Sequence, residues 1–463
     1  MTLRSNSAAA RDIAYHLHSY TNARKNEQEG SLVLSTGKGI YVYDENGKAY
    51  LEGLSGLWCL SLGYGEERLI EAANRQMRRL PYYHTFTQKV ADVTVDLAEK
   101  LIAIAPVPMS KVFFCNSGSE ANDSVVKMVW YYNNALGRPR KKKIISRLGG
   151  YHGVTVAAAS MTGLPLNHKD FDLPIANILH TDCPHYYRYG QAGETEEQFA
   201  TRMAESLEQL IQREGPDTIA AFIAEPVMGA GGVILPPATY FEKIQAVLKR
   251  HDILFVADEV ICGFGRTGNM FGTETFRLKP DIMTVAKALS SAYLPIAAVL
   301  INQRVYDAIG ENSNKLGSFS HGFTYSGHPV SAAVALETLK IYEERDILGH
   351  VRRQAPAFRA GLEGFASHPL VGDTRAVGMV GAVELVRDRA SREAFDPALA
   401  IPAYCVKRAQ EHGLIVRAIV NSIAFCPPLV STGEEIAEMY RRFGRALDET
   451  LAWVKEQGIA SAA

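Results

Sequence analysis

Between about residues 66 and 330, short apolar runs alternate with helix-forming stretches, and this alternation restricts the chain to one class of architecture. The strand candidates are Lys111–Asn116, Lys143–Arg147, Ile219–Glu225, Ile253–Val260, Ile282–Ala286 and Ala297–Ile301. Runs this apolar and this short read as strands buried on both faces, as in a parallel sheet. A helix is expected from about Ala238 to Arg250, just after the boundary set by Pro236-Pro237. The pattern predicts an α/β fold whose mostly parallel sheet is covered by helices. Gly39–Leu51 reads as a β-hairpin turning at Asn46-Gly47. Beyond residue 330 come a helix over Val330–Glu344, strands around Thr374–Leu385 and helix–strand signals over Pro402–Pro428. The expected division is an N-terminal segment (1–65) that joins the small domain, a large domain (66–330) and a smaller α+β domain (331–463).

Composition narrows the partners. With 49 basic and 50 acidic side chains the formal charge is −1, which gives no footprint for nucleic acid or an anionic membrane. The basic cluster Arg138–Lys143 is expected to be a solvated loop. Six cysteines at 59, 115, 183, 262, 405 and 426 include no Cys-x-x-Cys pair. This argues against a zinc site or a disulfide framework and for a reducing cytosol. No metal is expected. No apolar run approaches the ~20 residues that span a bilayer, and Met1–Arg11 lacks the apolar segment of a secretory signal. A cytoplasmic protein is the expectation.

Two strand candidates end on ionisable groups. Ile253–Val260 delivers Asp258 at the C-terminal end, where open α/β sheets bind ligands, and Ile282–Ala286 delivers Lys287. A buried carboxylate and amine on neighbouring strand ends suit a pyridoxal phosphate (PLP) site, and equally a structural ion pair. Ser117-Gly118-Ser119 follows another strand, so Gly118 and Ser119 can offer backbone N–H groups to a phosphate, or a serine can simply cap the helix. Tyr151, inside Gly149–Gly153, can stack on a flat ring or fill a turn. Glu225 ends a strand ahead of the close-packing loop Gly229–Gly232. In Phe323–Pro329 a hydroxyl reads first as a helix cap.

Taken together, these blocks carry a resemblance. Asn116–Asn122, Tyr151-His152-Gly153, Ala257–Thr267, Ala286–Leu289 and Gly322–Pro329 occur in the order seen in class III aminotransferases. Gly56–Cys59, Phe222–Pro226 and Gly413–Ala418 extend the likeness from about Leu17 to the C-terminus. The chain most resembles the ω-transaminases, or amine–pyruvate aminotransferases. The resemblance implies fold type I, with a seven-stranded, mostly parallel sheet in a large PLP-binding domain and a smaller α+β domain. It implies Lys287 as the Schiff-base lysine and proton carrier, and Asp258 as partner of the pyridinium nitrogen. Val260 and Tyr151 would flank the ring, with His152 and Glu225 also at the cofactor. Gly118, Ser119 and a second subunit's Thr324 would hold the phosphate. Tyr20, Trp58, Phe86, Tyr151 and Ala230 would line the substrate pockets, and Arg417 would clamp a substrate carboxylate. The N-terminal segment would add to the active site, and the sites would be shared across a homodimer, with pairing into tetramers left open. The substrates implied are an amine donor and a keto-acid acceptor. Ile261 departs from the γ-aminobutyrate and ornithine types, which carry glutamine there, and so favours the amine–pyruvate group. The alternatives are a β-alanine, γ-aminobutyrate, diamine or polyamine aminotransferase using 2-oxoglutarate, and a non-catalytic PLP-binding protein.

Overall fold

A computed structural model describes residues 6–459, and residues 1–5 of the Met1–Arg11 stretch lie outside that range. Near the N-terminus, two helices, Ala8–Tyr15 and Ala23–Glu29, form where no element was expected. Ser7 and Asn22 cap them through side-chain oxygens, a signal that short polar helices offer in place of an apolar stripe. Strands β1 (Leu34–Lys38), β2 (Tyr41–Asp44) and β3 (Ala49–Glu52) follow, and the expected hairpin is β2–β3.

The central sheet has seven strands: β4 (Lys111–Cys115), β5 (Lys143–Arg147), β6 (Ile178–Thr181), β7 (Ile219–Ala224), β8 (Leu254–Asp258), β9 (Ile282–Val285) and β10 (Ala297–Ile301). Their order is β4-β10-β9-β8-β7-β5-β6, and only β10 runs against the others. Strands β7 and β8 are buried along their whole length, as runs with no polar alternation require. Helix Gly118–Ala135 packs on one face in a core with Val125, Val129, Ile223 and Val256. Helices Glu196–Glu214 and Tyr240–Arg250 cover the other through Phe199, Leu207, Phe241 and Ile244. Strand β6, at the sheet edge, was not expected from Ile-Leu-His-Thr, whose short run alternates too little to stand out.

The C-terminal region holds β11 (Val371–Val377), β12 (Val380–Leu385), β13 (Leu414–Ile415), β14 (Arg417–Ile419) and β15 (Ser422–Phe425). Four of these form a sheet in the order β11-β12-β15-β14. The fifth, β13, pairs in parallel with β3, so the N-terminal strands and the C-terminal region share one sheet. The basic cluster is pinned rather than simply solvated: Arg138 pairs with Asp252, and Lys141, 7% exposed, donates to the His251 carbonyl at 2.9 Å. Among the described residues no helix is long and apolar enough to cross a membrane.

Candidate active site

Parallel pairing of β8 with β9 sets Asp258 opposite Thr284, and Lys287 emerges just past the end of β9. Both side chains line one cavity of about 520 Å³ at the C-terminal ends of the strands. A larger surface groove of about 1190 Å³ lies elsewhere, and its Arg304 is already paired with Asp252 and Asp281.

Asp258 is held by three donors. Its Oδ2 accepts from Asn122 Nδ2 at 2.8 Å and His152 Nδ1 at 2.8 Å, and its Oδ1 accepts from the Val260 N–H at 3.1 Å. Asn122 is the residue that sequence reasoning missed. It lies one helical turn beyond Gly118, and this i,i+4 spacing on an inward face was the available signal. Burial pushes the Lys287 amine below the ordinary lysine range, against the opposing pull of Asp258. Lys287 also has φ +49°, an uncommon backbone for a side-chain-bearing residue and a mark of functional sites.

The helix N-terminus at Gly118 opens on the same cavity. Ser117, as expected of an N-cap, accepts from the Glu120 N–H at 3.2 Å. Ser119 Oγ instead accepts from the Val154 N–H at 3.1 Å. The Gly118 and Ser119 N–H groups are among those that no helix of this kind can satisfy internally. Gly153 permits the contact between the two segments: at φ +133°, a Cβ there would lie 2.5 Å from Ser119 Oγ.

Glu225 sits between two loops. Its Oε2 accepts from the Tyr151 N–H at 3.0 Å and its Oε1 from the Gly229 N–H at 3.0 Å. Burial raises the proton affinity of this carboxyl, with His152 and Arg147 opposing. The outer wall is aromatic: Trp58 is buried on a turn with three positive φ angles (Ser55, Gly56, Trp58), and Tyr20 accepts from Asn167 Nδ2 at 2.6 Å.

Twelve of the expected residues therefore meet at this cavity: Tyr20, Trp58, Gly118, Ser119, Tyr151, His152, Glu225, Ala230, Asp258, Val260, Lys287 and Arg417. Phe86 and Thr324 do not line it within one chain. Both are exposed and lie near one another: Phe86 crowds Gly322, and the Thr324 carbonyl accepts from Tyr82 Oη at 2.8 Å.

The arrangement fits PLP. The cavity offers a carboxylate for a ring nitrogen, an amine, and a helix N-terminus for a phosphate, while buried His152 Nε2 and Asn122 Oδ1 have no protein partner.

Comparison with known proteins gives the same reading. The family model described as Aminotransferase class-III matches residues 22–447. The chain is 55% identical to the chloroplastic gamma aminobutyrate transaminase 3 of Solanum lycopersicum over 92% of its own length and 82% of the relative's. It is 53% identical to the vanillin aminotransferase of Capsicum frutescens, over 92% and 93% of the two chains. The crystal structure of the omega transaminase from Pseudomonas jessenii in complex with PMP superposes with a TM-score of 0.96 at 57% identity, covering 97% of this chain and 99% of that one.

Proposed function

The chain belongs to the class III aminotransferases, PLP-dependent transaminases of fold type I, and we propose that it moves the amino group of a primary amine or ω-amino acid to pyruvate. The observation that carries this reading is the cavity itself, where the acid–amine pair of Asp258 and Lys287 faces an aromatic wall and Arg417. An aromatic wall favours apolar amines. Arg417 has no carboxylate within ion-pair distance among the described residues, which leaves its planar fork available for a keto-acid carboxylate.

PLP, when bound, supplies an electron sink for the charge left as a proton departs the substrate carbon. In the proposed site, the Gly118 and Ser119 N–H groups would bind its phosphate, and Asp258, oriented by Asn122 and His152, would hold the ring nitrogen protonated. Val260 and Tyr151, which line the cavity, would flank the ring, while Glu225 fixes the Tyr151 loop. Burial leaves Lys287 Nζ available as a base, and that atom carries the proton from the substrate carbon. Transfer then runs as two half reactions.

The exposed positions of Phe86 and Thr324 support a homodimer in which each chain completes its partner's site. Six free thiols support a reducing compartment, the cytoplasm in this proposal. A second reading, γ-aminobutyrate as donor, is favoured by the name of the tomato relative despite Ile261 at the cavity wall.

The test is spectroscopic. An amine donor alone should convert the cofactor to its aminated form with loss of the visible absorbance, and pyruvate should restore it; Lys287→Ala should not complete that conversion while remaining folded. Restoration by 2-oxoglutarate but not pyruvate, with γ-aminobutyrate the better donor, would favour the second reading. No shift with any donor would reject both.

A further inference from the structure

Arg375 lies on β11, does not line the cavity, and has a side chain only 8% exposed. Its guanidinium has five N–H donors in a rigid fork, and each one is engaged. Nε donates to the Val233 carbonyl at 2.9 Å. Nη2 donates to the Gly232 carbonyl at 2.6 Å and to Ser422 Oγ at 2.8 Å. Nη1 donates to Asp373 Oδ2 and Glu384 Oε2, each at 2.7 Å. His185, Asp373 and Glu384 are close enough together to suggest a cation site, but the Arg375 guanidinium already supplies their positive charge.

The two carbonyls belong to the loop that presents Ala230 to the cavity, and Glu225 Oε1 holds the other end of that loop through the Gly229 N–H. Val233 sits at φ +54° and is fully buried. A β-branched residue keeps that conformation only where its surroundings over-determine it. Ser422 begins β15, opposite Ile419 of β14, the strand that starts at Arg417. One side chain therefore ties the Ala230 loop to the strand pair carrying Arg417.

We propose that Arg375 is a positioning residue that sets the distance between the Ala230 wall and Arg417, and so the bulk of amine the site accepts. The proposal rests on the transaminase reading above. Lysine keeps the charge but has only three donors on a flexible stem, so it cannot hold both the loop and Ser422 while pairing with two carboxylates.

The test uses the full-length holoenzyme with Arg375→Lys and Ser422→Ala, the second removing one hydroxyl that accepts from Arg375 Nη2 and donates to Glu384 Oε2 at 3.5 Å. α-Methylbenzylamine and its α-ethyl homologue, one methylene larger, serve as donors, with pyruvate and an uncharged aldehyde as acceptors. A wall that discriminates one methylene contributes at least about tenfold selectivity, so Arg375→Lys should raise the bulky-to-compact ratio of kcat/KM by about tenfold. The KM for pyruvate should rise more than that for the aldehyde, with PLP affinity held. Backbone hydrogen exchange over 229–234 should accelerate in the cofactor-free protein as well. Ser422→Ala should move the same ratio in the same direction by a smaller factor, and this variant decides the matter if Arg375→Lys does not fold. An unchanged donor ratio in the folded variants, or equal losses for all substrates, would overturn the proposal. A wild-type enzyme that leaves both amines unreacted would instead reject the apolar-amine donor reading, before any variant is made.

Discussion

Glu52, at the end of β3, is a buried acid with no ion-pair partner among the described residues: its Oε1 accepts from the Leu54 N–H at 2.9 Å. Burial pushes its carboxyl from 4.5 up to about 7. The folded chain thus keeps a proton through a pH range in which the unfolded chain has lost it. Stability from this group is complete below about pH 4.5 and is lost as pH rises through about 7. The slope is at most about 1.4 kcal/mol per pH unit. Glu52→Gln keeps the acceptor but cannot ionise, so its Tm should fall less than the wild type's between about pH 5 and about pH 8. Parallel Tm curves for the two proteins would refute this account. Asp258 and Lys287 were legible in the sequence because each follows directly on an apolar run that reads as a buried strand. Arg375 was not, because its five partners come from residues 232, 233, 373, 384 and 422, which only the fold brings together.

Six of the seven strands of the central sheet, all but β6, were readable almost to the residue, since burial on both faces leaves no polar position to blur a run. Lys143–Arg147 and Ala297–Ile301 fall where expected, and the others end one or two residues early. Loops were readable only as glycine clusters, since their spacing is a tertiary property. The loops around Gly149 and Gly231 touch so closely that a Cβ on Gly231 would lie 2.3 Å from the Gly149 carbonyl oxygen. A backbone atom cannot swing aside as a side chain can, so Gly231→Ala must part the loops that carry Tyr151 and Ala230. Stability should fall by about 1–3 kcal/mol, the usual cost of overpacking. The KM for the amine donor should rise with it. An unchanged melting temperature and unchanged half-reaction kinetics would mean that this contact is slack.

At the scale of the whole molecule, an exposed aromatic patch is the feature a single chain leaves unexplained. Tyr82 and Tyr325 meet edge-on with ring centroids 5.7 Å apart, and Tyr83, His84 and Phe86 continue the surface. Tyr325 is 59% exposed and Phe86 42% exposed, and contiguous apolar surface of this kind marks an interaction site. The segment that bears Thr324 also runs through this patch, so one contact surface accounts for both the apolar exposure and the two expected residues missing from the cavity. A symmetric dimer would use the same patch on each chain. Tyr325→Asp places a charge where burial is expected on association but leaves the monomer's core untouched. The variant should sediment as a monomer with an unchanged helical signal and lose at least about tenfold in kcat/KM. A fully active monomer would show that each chain carries a complete site, and would remove Thr324 and Phe86 from the proposed machinery.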